Sequence, residues 1–309
     1  FQAEDGIRDS VASRGLGDVY KRQVKTARPE ALEVDEPERV AEATQRMNLN
    51  HIVITAVARD DLKDGGAGHF QRTIEEVRKS NPRIIIEVLV PDFNDKDWAL
   101  EMVMEARPHI FNHNIETVER LTPLVRSRAK YGRSLTVLKK AKDMVEGKVA
   151  TKSGLMLGLG EREEEILQAM DDLLEHGVTV LTMGQYLRPT AMHLPVVDYI
   201  TPDRFDELRE IALARGFRHV ASGPLVRSSY HAADFHPEED VIDAIESDLA
   251  KRAESRVQQG EEVSQSVWQV ASDPPSGNSR HGADFPPEAE VLGAVESDRS
   301  GRAESLVEK

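Results

Sequence analysis

The chain of 309 residues contains no cysteine. This absence excludes disulfide bonds, thiolate zinc sites, cysteine nucleophiles and iron–sulfur clusters ligated by cysteines of this chain. Long apolar segments are also missing, since no run approaches the roughly 18 residues that a membrane span needs. Acidic residues outnumber basic ones, 55 to 40, and the resulting net charge of -15 argues against general affinity for nucleic acid or anionic membranes. We therefore expect a cytoplasmic protein whose partners include neither nucleic acid nor a membrane.

Several catalytic motifs are absent as well. The sequence has no H-E-x-x-H or comparable metal spacing, and no Gly-x-Ser-x-Gly nucleophile elbow. The glycine-rich stretch 154–160 is not a phosphate-binding loop, because no lysine follows its last glycine. The first residues, FQAEDGIRDS, are acidic and polar, unlike a secretory signal peptide.

The sequence divides into three zones that differ in hydrophobic pattern and charge. Residues 1–23 show no sustained hydrophobic period and resemble translated sequencing-adapter read-through, so we expect a non-native segment. Residues 24–235 alternate apolar runs with amphipathic stretches. Residues 236–309 are predicted to be a weakly ordered acidic tail. In this part, His231–Val257 recurs at an offset of 50 as His281–Val307, after a polar linker over 258–278. Each copy predicts one short acidic helix, and the alternatives are a local duplication or a partner-binding helix pair.

The middle zone predicts an α/β fold. Strands are expected over 51–57, 84–90, 109–114, 151–159, 178–186 and 217–221. Helices are expected from Asp35-Glu36-Pro37 onward and over 70–79, 96–106, 118–125, 134–145, 163–175 and 202–214. Repeated β-then-α order indicates a parallel sheet. With six or more units, a closed or partly closed barrel is favoured over an open sheet.

Polar residues gather where the predicted strands end, which is where sites lie in α/β barrels. After the first strand, Gly65 and Gly66 allow close backbone approach to a ligand. Arg59 with Asp60 and Asp61 suits a zwitterion, although a charged loop of this kind is also typical of a solvated turn. After the third strand, alternation places Asn112 and Asn114 on one side.

Inward amides need hydrogen-bond partners, which a polar ligand provides. Helix capping by Asn114 or Thr117 is the alternative. The glycine-rich exit of the fourth strand allows backbone approach to a cofactor, with Glu161 as an acceptor. The loop that contains Ser228 and Ser229 is equally compatible with local side-chain to backbone bonds.

Taken together, the segments RDDLKDGGAGHF, IEVLVPDF, FNHNIETV, TKSGLMLGLGE, LTMGQYL and HVASGPLVRSSYHA closely resemble the lipoyl synthase family of radical S-adenosylmethionine enzymes. The resemblance covers about residues 24–235. It implies a partial parallel (βα) barrel, two [4Fe-4S] clusters and S-adenosylmethionine. The implied reaction inserts sulfur at C6 and C8 of an octanoyl group. The implied partners are octanoylated lipoyl carrier domains of 2-oxoacid dehydrogenases or the glycine cleavage H protein.

The resemblance also implies roles for individual residues. Ser229, with Ser228 as the alternative, corresponds to the serine that ligates the auxiliary cluster. The loop lining the S-adenosylmethionine pocket corresponds to Thr55, Asp60, Gly65 and Gly66. Asn112, Asn114 and Glu116 look suited to the ribose and amino acid moieties. The expected supports for cofactor or substrate are Lys152, Glu161, Gln185 and Arg227.

The sequence departs from the family in one respect. The family's six cysteines correspond to a region upstream of Val24, since Val24–Arg28 fits the stretch that directly follows the Cys-x3-Cys-x2-Cys motif. We therefore expect an N-terminally truncated member that lacks the first barrel strand, binds neither cluster and does not turn over. Two other hypotheses are a cluster-free relative that binds lipoyl carrier domains, and an unrelated barrel enzyme acting on phosphorylated metabolites.

Overall fold

A computed structural model of the chain describes residues 31–57, 59–126, 129–229, 232–237 and 239–258. All of them fall in the first of two compact units, Phe1–Ser272. The predicted segment 1–23, the stretch Val24–Arg28 and the second copy His281–Val307 lie outside the described residues, as does the second unit, Asp273–Lys309.

One parallel sheet organises the described residues. Its strands run in chain order as β1 His51–Thr55, β2 Ile85–Leu89, β3 Ile110–Asn112, β4 Ala150–Leu157, β5 Val180–Gln185 and β6 His219–Gly223. Each strand pairs in parallel with the next, so every connection is a crossover that returns to the same edge. The six predicted strands are confirmed, and so is the parallel α/β class.

Helices cover the outward face of the sheet. Their buried faces supply the apolar core together with Ile86, Val88 and Phe111 from the strands. The helices are α1 Glu36–Arg46, α2 Ala67–Ser80, α3 Asp97–Glu105, α4 Thr122–Val125, α5 Tyr131–Met144, α6 Glu163–Glu175, α7 Pro202–Arg215 and α8 Glu239–Gln258.

Local sequence explains where α7 begins and ends. The side chain of Thr201 accepts from the backbone N–H of Arg204 at 3.3 Å, and Pro202 occupies the first turn. A cap of this kind satisfies one of the N–H groups that a helix start leaves free. Gly216 ends the helix at φ 123°, a backbone conformation that favours glycine.

The sheet curls into a partial barrel. Asn114, just after β3, donates through Nδ2 to Oγ of Ser228, which follows β6, at 2.7 Å. These two segments belong to strands that are three places apart in the sheet, so a direct side-chain contact requires a concave face. We call the space enclosed by this face the lumen, and the C-terminal ends of the strands the rim. β1 and β6 have no paired neighbour on their outer side among the described residues.

Helix α8 forms most of the first copy of the duplicated segment, and it packs on the barrel. Ile242 and Phe235 pack against Ile85, Ile110 and Ala150, which begin β2, β3 and β4. Asp248 accepts from Nε of Arg107 at 2.7 Å. The first copy of the tail therefore covers the N-terminal ends of the strands. The domain boundary expected at residue 235 stays a prediction.

The core prediction concerns Leu138 in α5, which is fully buried. Leu138→Ala should lower the free energy of unfolding by about 2–5 kcal/mol, because it removes buried methyl groups and leaves a cavity. Leu124→Ala is the matched control: Leu124 is 64% exposed, and the same chemical change there should stay within about 0.5 kcal/mol. Urea unfolding followed by circular dichroism measures both. Equal losses at the two positions would contradict the assignment of α5 to the core.

Candidate functional site

The lumen carries a row of polar side chains at mid-height. Glu87 of β2 lies beside Val53 of β1, and Asn112 of β3 lies beside Lys152 of β4. Neighbours in register point to the same side of a parallel sheet, and alternation repeats the pattern every second residue. Glu87 and Asn112 are fully buried, and Lys152 is 3% exposed.

A buried ion pair joins this row. Nζ of Lys152 lies 2.9 Å from Oε1 and 3.1 Å from Oε2 of Glu87. Asn112 donates through Nδ2 to Oε1 of the same carboxylate at 2.8 Å, and Nε2 of His51 lies 3.6 Å from Oε2. Burial opposes ionisation of Glu87, but the charge of Lys152 and the hydrogen bonds outweigh it and lower the pKa of Glu87. Glu87 is therefore a carboxylate, and it fixes the orientation of the Asn112 amide.

The next level toward the rim contains free acceptors. Oδ1 of Asn112, Oδ1 of Asn114 and Oγ1 of Thr55 are buried without a hydrogen-bond partner. Gly154 brings the backbone close to this level, because a Cβ there would lie 2.7 Å from Oδ1 of Asn114 and 2.9 Å from Oγ1 of Thr182. Buried polar atoms are nearly always paired in folded proteins. These acceptors are therefore suited to a bound hydrogen-bond donor.

Glu116 sits above Asn114 in a strained backbone conformation. Its φ is 69°, which is uncommon for any residue other than glycine. A bridge holds it there: its N–H donates to the carbonyl of Gly154 at 3.0 Å, and its carbonyl accepts from Met156 at 2.8 Å. Burial raises the pKa of Glu116, and Arg126 opposes that rise. Strained residues of this kind concentrate at functional sites.

The loops after β1 and β2 meet at the rim. Asp60 accepts from Nδ2 of Asn94 at 3.1 Å, and a Cβ at Gly65 would lie 3.3 Å from the ring of Phe93. Phe93, Asn94 and Asp95 all have positive φ, so this turn is left-handed. Asp60 and Gly65 therefore both pack against this turn.

Gly66 directly precedes α2, and Asp64, which was not predicted from the sequence, holds this helix start. Asp64 accepts from the N–H of Gly66 at 3.0 Å and from that of Gly68 at 2.9 Å. Burial opposes ionisation of Asp64, but these two N–H groups outweigh it and lower its pKa. The carboxylate thus occupies the N–H groups that an anion would otherwise use.

Glu161 and Gln185, which were expected to support cofactor or substrate, form hydrogen bonds to backbone groups of this chain. Glu161 accepts through Oε2 from the N–H groups of Gly158 and Leu159, both at 3.0 Å. Gln185 donates to the carbonyl of Asp198 at 3.0 Å and accepts from the N–H of Ile200 at 2.9 Å. These contacts shape the loops after β4 and β5. A role toward cofactor or substrate stays a prediction for both residues.

The segment after β6 carries both candidate serines, Ser228 and Ser229. Ser228, the alternative, contacts Asn114, whereas the contact shown for Ser229 is its carbonyl accepting from Ala232. Arg227 donates to the carbonyl of Val226 at 2.8 Å and to that of Gln185 at 3.5 Å. The hydrogen bond therefore places Ser228 beside Asn114, and the metal-ligand role of either serine stays a prediction.

Glu87 was missed entirely in the sequence. A signal existed: it is the lone carboxylate within the apolar run IIIEVLV, where a buried strand has no solvent to receive it. An isolated buried carboxylate requires a cation or several donors. The cation that pairs with Glu87 is Lys152 of β4. Nothing in the sequence around Lys152 indicates that it pairs with a residue of β2.

The parallel α/β partial barrel, with polar side chains at the C-terminal ends of its strands, belongs to the radical S-adenosylmethionine superfamily. The family model of the radical SAM superfamily matches residues 18–173. The match begins inside the segment 1–23, so that boundary stays a prediction. Among solved structures, SuiB of Streptococcus suis has a TM-score of 0.50 at 10% identity, over 67% of this chain and 47% of SuiB. The form bound to S-adenosylmethionine also gives 0.50, over 69% and 49%. This chain spans about half of SuiB, and the likeness concerns the fold alone.

Curated relatives narrow the class. The lipoyl synthases of Shouchella clausii, Halalkalibacterium halodurans and Geobacillus kaustophilus are 54%, 55% and 57% identical to this chain over 231 residues. These alignments cover 73% of this chain and 74%, 76% and 77% of the respective relatives. The chain belongs to the lipoyl synthase family.

Two further features are absent from the described residues. No helix there is both long and apolar enough to cross a membrane. In the same part of the chain, no cluster of three or more histidine, cysteine, aspartate or glutamate side chains is arranged to hold a metal ion.

Breaking the buried ion pair tests the lumen network. Lys152→Met should cost about 3–5 kcal/mol of unfolding free energy at pH 7, because Glu87 would be left as an unpaired buried charge. Glu87→Gln combined with Lys152→Met should recover most of that loss. Lys148→Met, which breaks the exposed pair with Glu146, should have no measurable effect.

The same variants have a predicted pH dependence. In the native chain the pKa of Glu87 is lowered, so its stabilisation is fully present above the unfolded pKa of about 4.3 and is lost as pH falls through the folded pKa. Without Lys152, burial dominates and raises that pKa. The deficit of Lys152→Met should then shrink toward pH 4, as measured by urea unfolding across pH. A deficit that grows at acid pH would contradict this electrostatic account.

The backbone at Glu116 predicts an inverted ranking of two substitutions. Glu116→Gly should be more stable than Glu116→Ala by about 1 kcal/mol, because only glycine adopts φ 69° without steric cost. Thr136 in the interior of α5 is the control, where alanine should be more stable than glycine by about the same amount. Thermal unfolding measures both pairs. The same ranking at the two positions would show that Glu116 is not strained.

Proposed function

We propose that the lumen and rim of this chain bind S-adenosylmethionine and an octanoylated lysine of a lipoyl carrier domain. In the lipoyl synthase family, the reaction inserts sulfur at C6 and C8 of that octanoyl group. The observation that carries the proposal is the set of buried acceptors without donors: Oγ1 of Thr55 and Oδ1 of Asn112 and Asn114. They lie at the C-terminal ends of parallel strands, where α/β barrels place their sites.

The donor chemistry of S-adenosylmethionine fits these acceptors. Its ammonium group and ribose hydroxyls are hydrogen-bond donors, and each unpaired buried acceptor gains a partner when one of them binds. The Glu87 carboxylate supports this by holding Nδ2 of Asn112, which leaves Oδ1 of the same amide facing the lumen. Ser228 does the same for Asn114. Glu116, hydrogen-bonded to the Asn114 side chain, adds a buried carboxyl for a positively charged group.

The iron–sulfur clusters do not fit this chain. Cluster irons are bound by cysteine thiolates, and the 309 residues contain none. A single serine hydroxyl, from Ser228 or Ser229, supplies at most one of the several ligands that a cluster needs. The proposal for this chain is therefore ligand binding without cluster binding or turnover, and no chemical step is derived through a cluster.

A second function from a different class follows from the same composition. A cluster-free relative that binds lipoyl carrier domains would keep the acyl-lysine site and need no thiolate. The zero cysteine count favours it over catalysis for the chain as it stands. The two proposals share the lumen, and they differ in whether iron is bound.

Ligand titration and metal analysis test these proposals together. Isothermal titration with S-adenosylmethionine should show binding that weakens about tenfold in Thr55→Ala and in Asn114→Ala, because each loses one buried hydrogen bond. Thr136→Ala, an exposed threonine on α5, is the matched control and should bind as the native chain does. After expression with excess iron and sulfide, the purified chain should hold only substoichiometric iron.

Each outcome decides a separate point. Absence of S-adenosylmethionine binding in the native chain contradicts the assignment of the lumen. Stoichiometric iron with cluster absorbance contradicts the exclusion of clusters.

Asn114→Asp keeps an acceptor but removes the amide donor, so its contact with Ser228 would require the serine hydroxyl to donate. It should weaken ligand binding less than Asn114→Ala if the free acceptor is what matters.

A further inference from the structure

A buried arginine lies beside the proposed ligand site. Arg126 directly follows α4 and is 4% exposed, although burying a guanidinium is costly unless it is well hydrogen-bonded. Its N–H donates to the carbonyl of Thr122 at 2.7 Å, and its carbonyl accepts from the N–H of Ala129 at 3.0 Å. The guanidinium is therefore carried by a backbone that is held on both sides.

The guanidinium binds the backbone that carries two of the expected ligand residues. Its Nη1 donates to the carbonyl oxygens of Asn114 and Ile115, both at 3.1 Å. These carbonyls belong to the planar peptide groups on either side of Ile115. One nitrogen of Arg126 thus fixes the direction in which the chain leaves Asn114 and enters Glu116.

Strand β4 holds the other side of the same stretch. Ser153 donates through Oγ to the carbonyl of His113 at 2.9 Å and accepts from the N–H of Ile115 at 3.2 Å. The N–H of Glu116 donates to the carbonyl of Gly154 at 3.0 Å. The carbonyls of the two intervening residues are bound by Arg126 instead. Arg126 therefore completes, from the α4 side, the hold that β4 has on residues 113–116.

A buried hydroxyl extends this hold to β2. Nη1 of Arg126 also donates to Oγ of Ser134 at 3.2 Å, and that oxygen lies 3.0 Å from Nε2 of His113. Nδ1 of His113 lies 2.9 Å from the carbonyl oxygen of Val90, which follows β2. Because a carbonyl only accepts, Nδ1 carries the proton and Nε2 accepts from the hydroxyl of Ser134. One chain of hydrogen bonds therefore links the residue after α4 to the end of β2.

We infer that Arg126 is a positioning residue of the S-adenosylmethionine site, acting through Asn114 and Glu116. By fixing their backbone, it sets where Oδ1 of Asn114 and the carboxyl of Glu116 lie before the ligand arrives. Groups held in advance lose less freedom on binding, which favours affinity. The charge of Arg126 also opposes the rise in the pKa of Glu116 that burial causes. This inference rests on the proposed function and adds to it a residue with no predicted role.

Isothermal titration with S-adenosylmethionine tests the inference. Arg126→Met removes the charge and the donors but keeps a long side chain, and it should weaken binding about tenfold. Arg126→Lys should stay within about threefold of the native chain, because the three contacts use one nitrogen and an ammonium has three donors. Arg78→Met is the matched control and should leave the affinity unchanged. Arg78 also donates to two carbonyls, those of Ala106 and Arg107, but these precede β3 at the opposite edge of the sheet.

A double-mutant cycle separates positioning from a general loss of stability. If Arg126 acts through Asn114, adding Asn114→Ala to Arg126→Met should weaken binding by less than about threefold further. Adding Thr55→Ala instead should cost its full factor of about ten, because Thr55 on β1 offers its acceptor independently. Full additivity at Asn114 overturns the inference, as does native affinity in a folded Arg126→Met chain.

Folding and the proposed function have their own measurements. If circular dichroism shows that Arg126→Met does not fold, Ser134→Ala replaces it, since it removes one acceptor of Nη1. It should weaken binding about threefold, and native affinity there overturns the inference. Hydrogen exchange of the amides of residues 113–116 should be faster in the ligand-free Arg126→Met or Ser134→Ala chain than in Arg78→Met, and equal exchange overturns the inference. A native chain that does not bind S-adenosylmethionine overturns the proposed function, whereas the exchange rates still decide whether Arg126 holds this segment.

Discussion

The buried ion pair between Glu87 and Lys152 is the interaction on which the site depends. Removing both charges from water carries a desolvation cost, which the short contacts and the amide of Asn112 offset. Because the two charges are opposite, the pair adds no net charge to the buried lumen. It also ties β2 to β4 across β3 on the concave face. The orientation of Asn112, and so the acceptor it offers, follows from that arrangement.

The rim is built by a second constraint, which is the parallel order of the strands. Six parallel strands send every loop after a strand to the same edge, so residues distant in sequence meet there. Some polar groups at this edge hold the loops in shape, as Glu161 and Gln185 do for backbone N–H and C=O groups. Others remain without donors, as Thr55 and Asn114 do. A ligand site is made from the second group and supported by the first.

Much of the fold was predictable. The six strands were located to within a few residues because runs such as HIVIT and IIIEVLV are short, rich in β-branched residues and bounded by turn residues. The site was predictable only as a list. Ser228 and Ser229 are adjacent, and sequence spacing does not predict that Ser228 is the one that contacts Asn114. Glu87 escaped because its partner lies 65 residues away.

The sequence by itself determined the family, the order of strands and helices, and the absence of thiolates, because each of these is a property of residue type and local pattern. Only the tertiary structure decided which polar atoms are already used and which are free. Hydrogen-bond pairing is set by distances of about 3 Å between groups from different strands. Such distances arise from the curvature of the sheet and the crossovers between its strands.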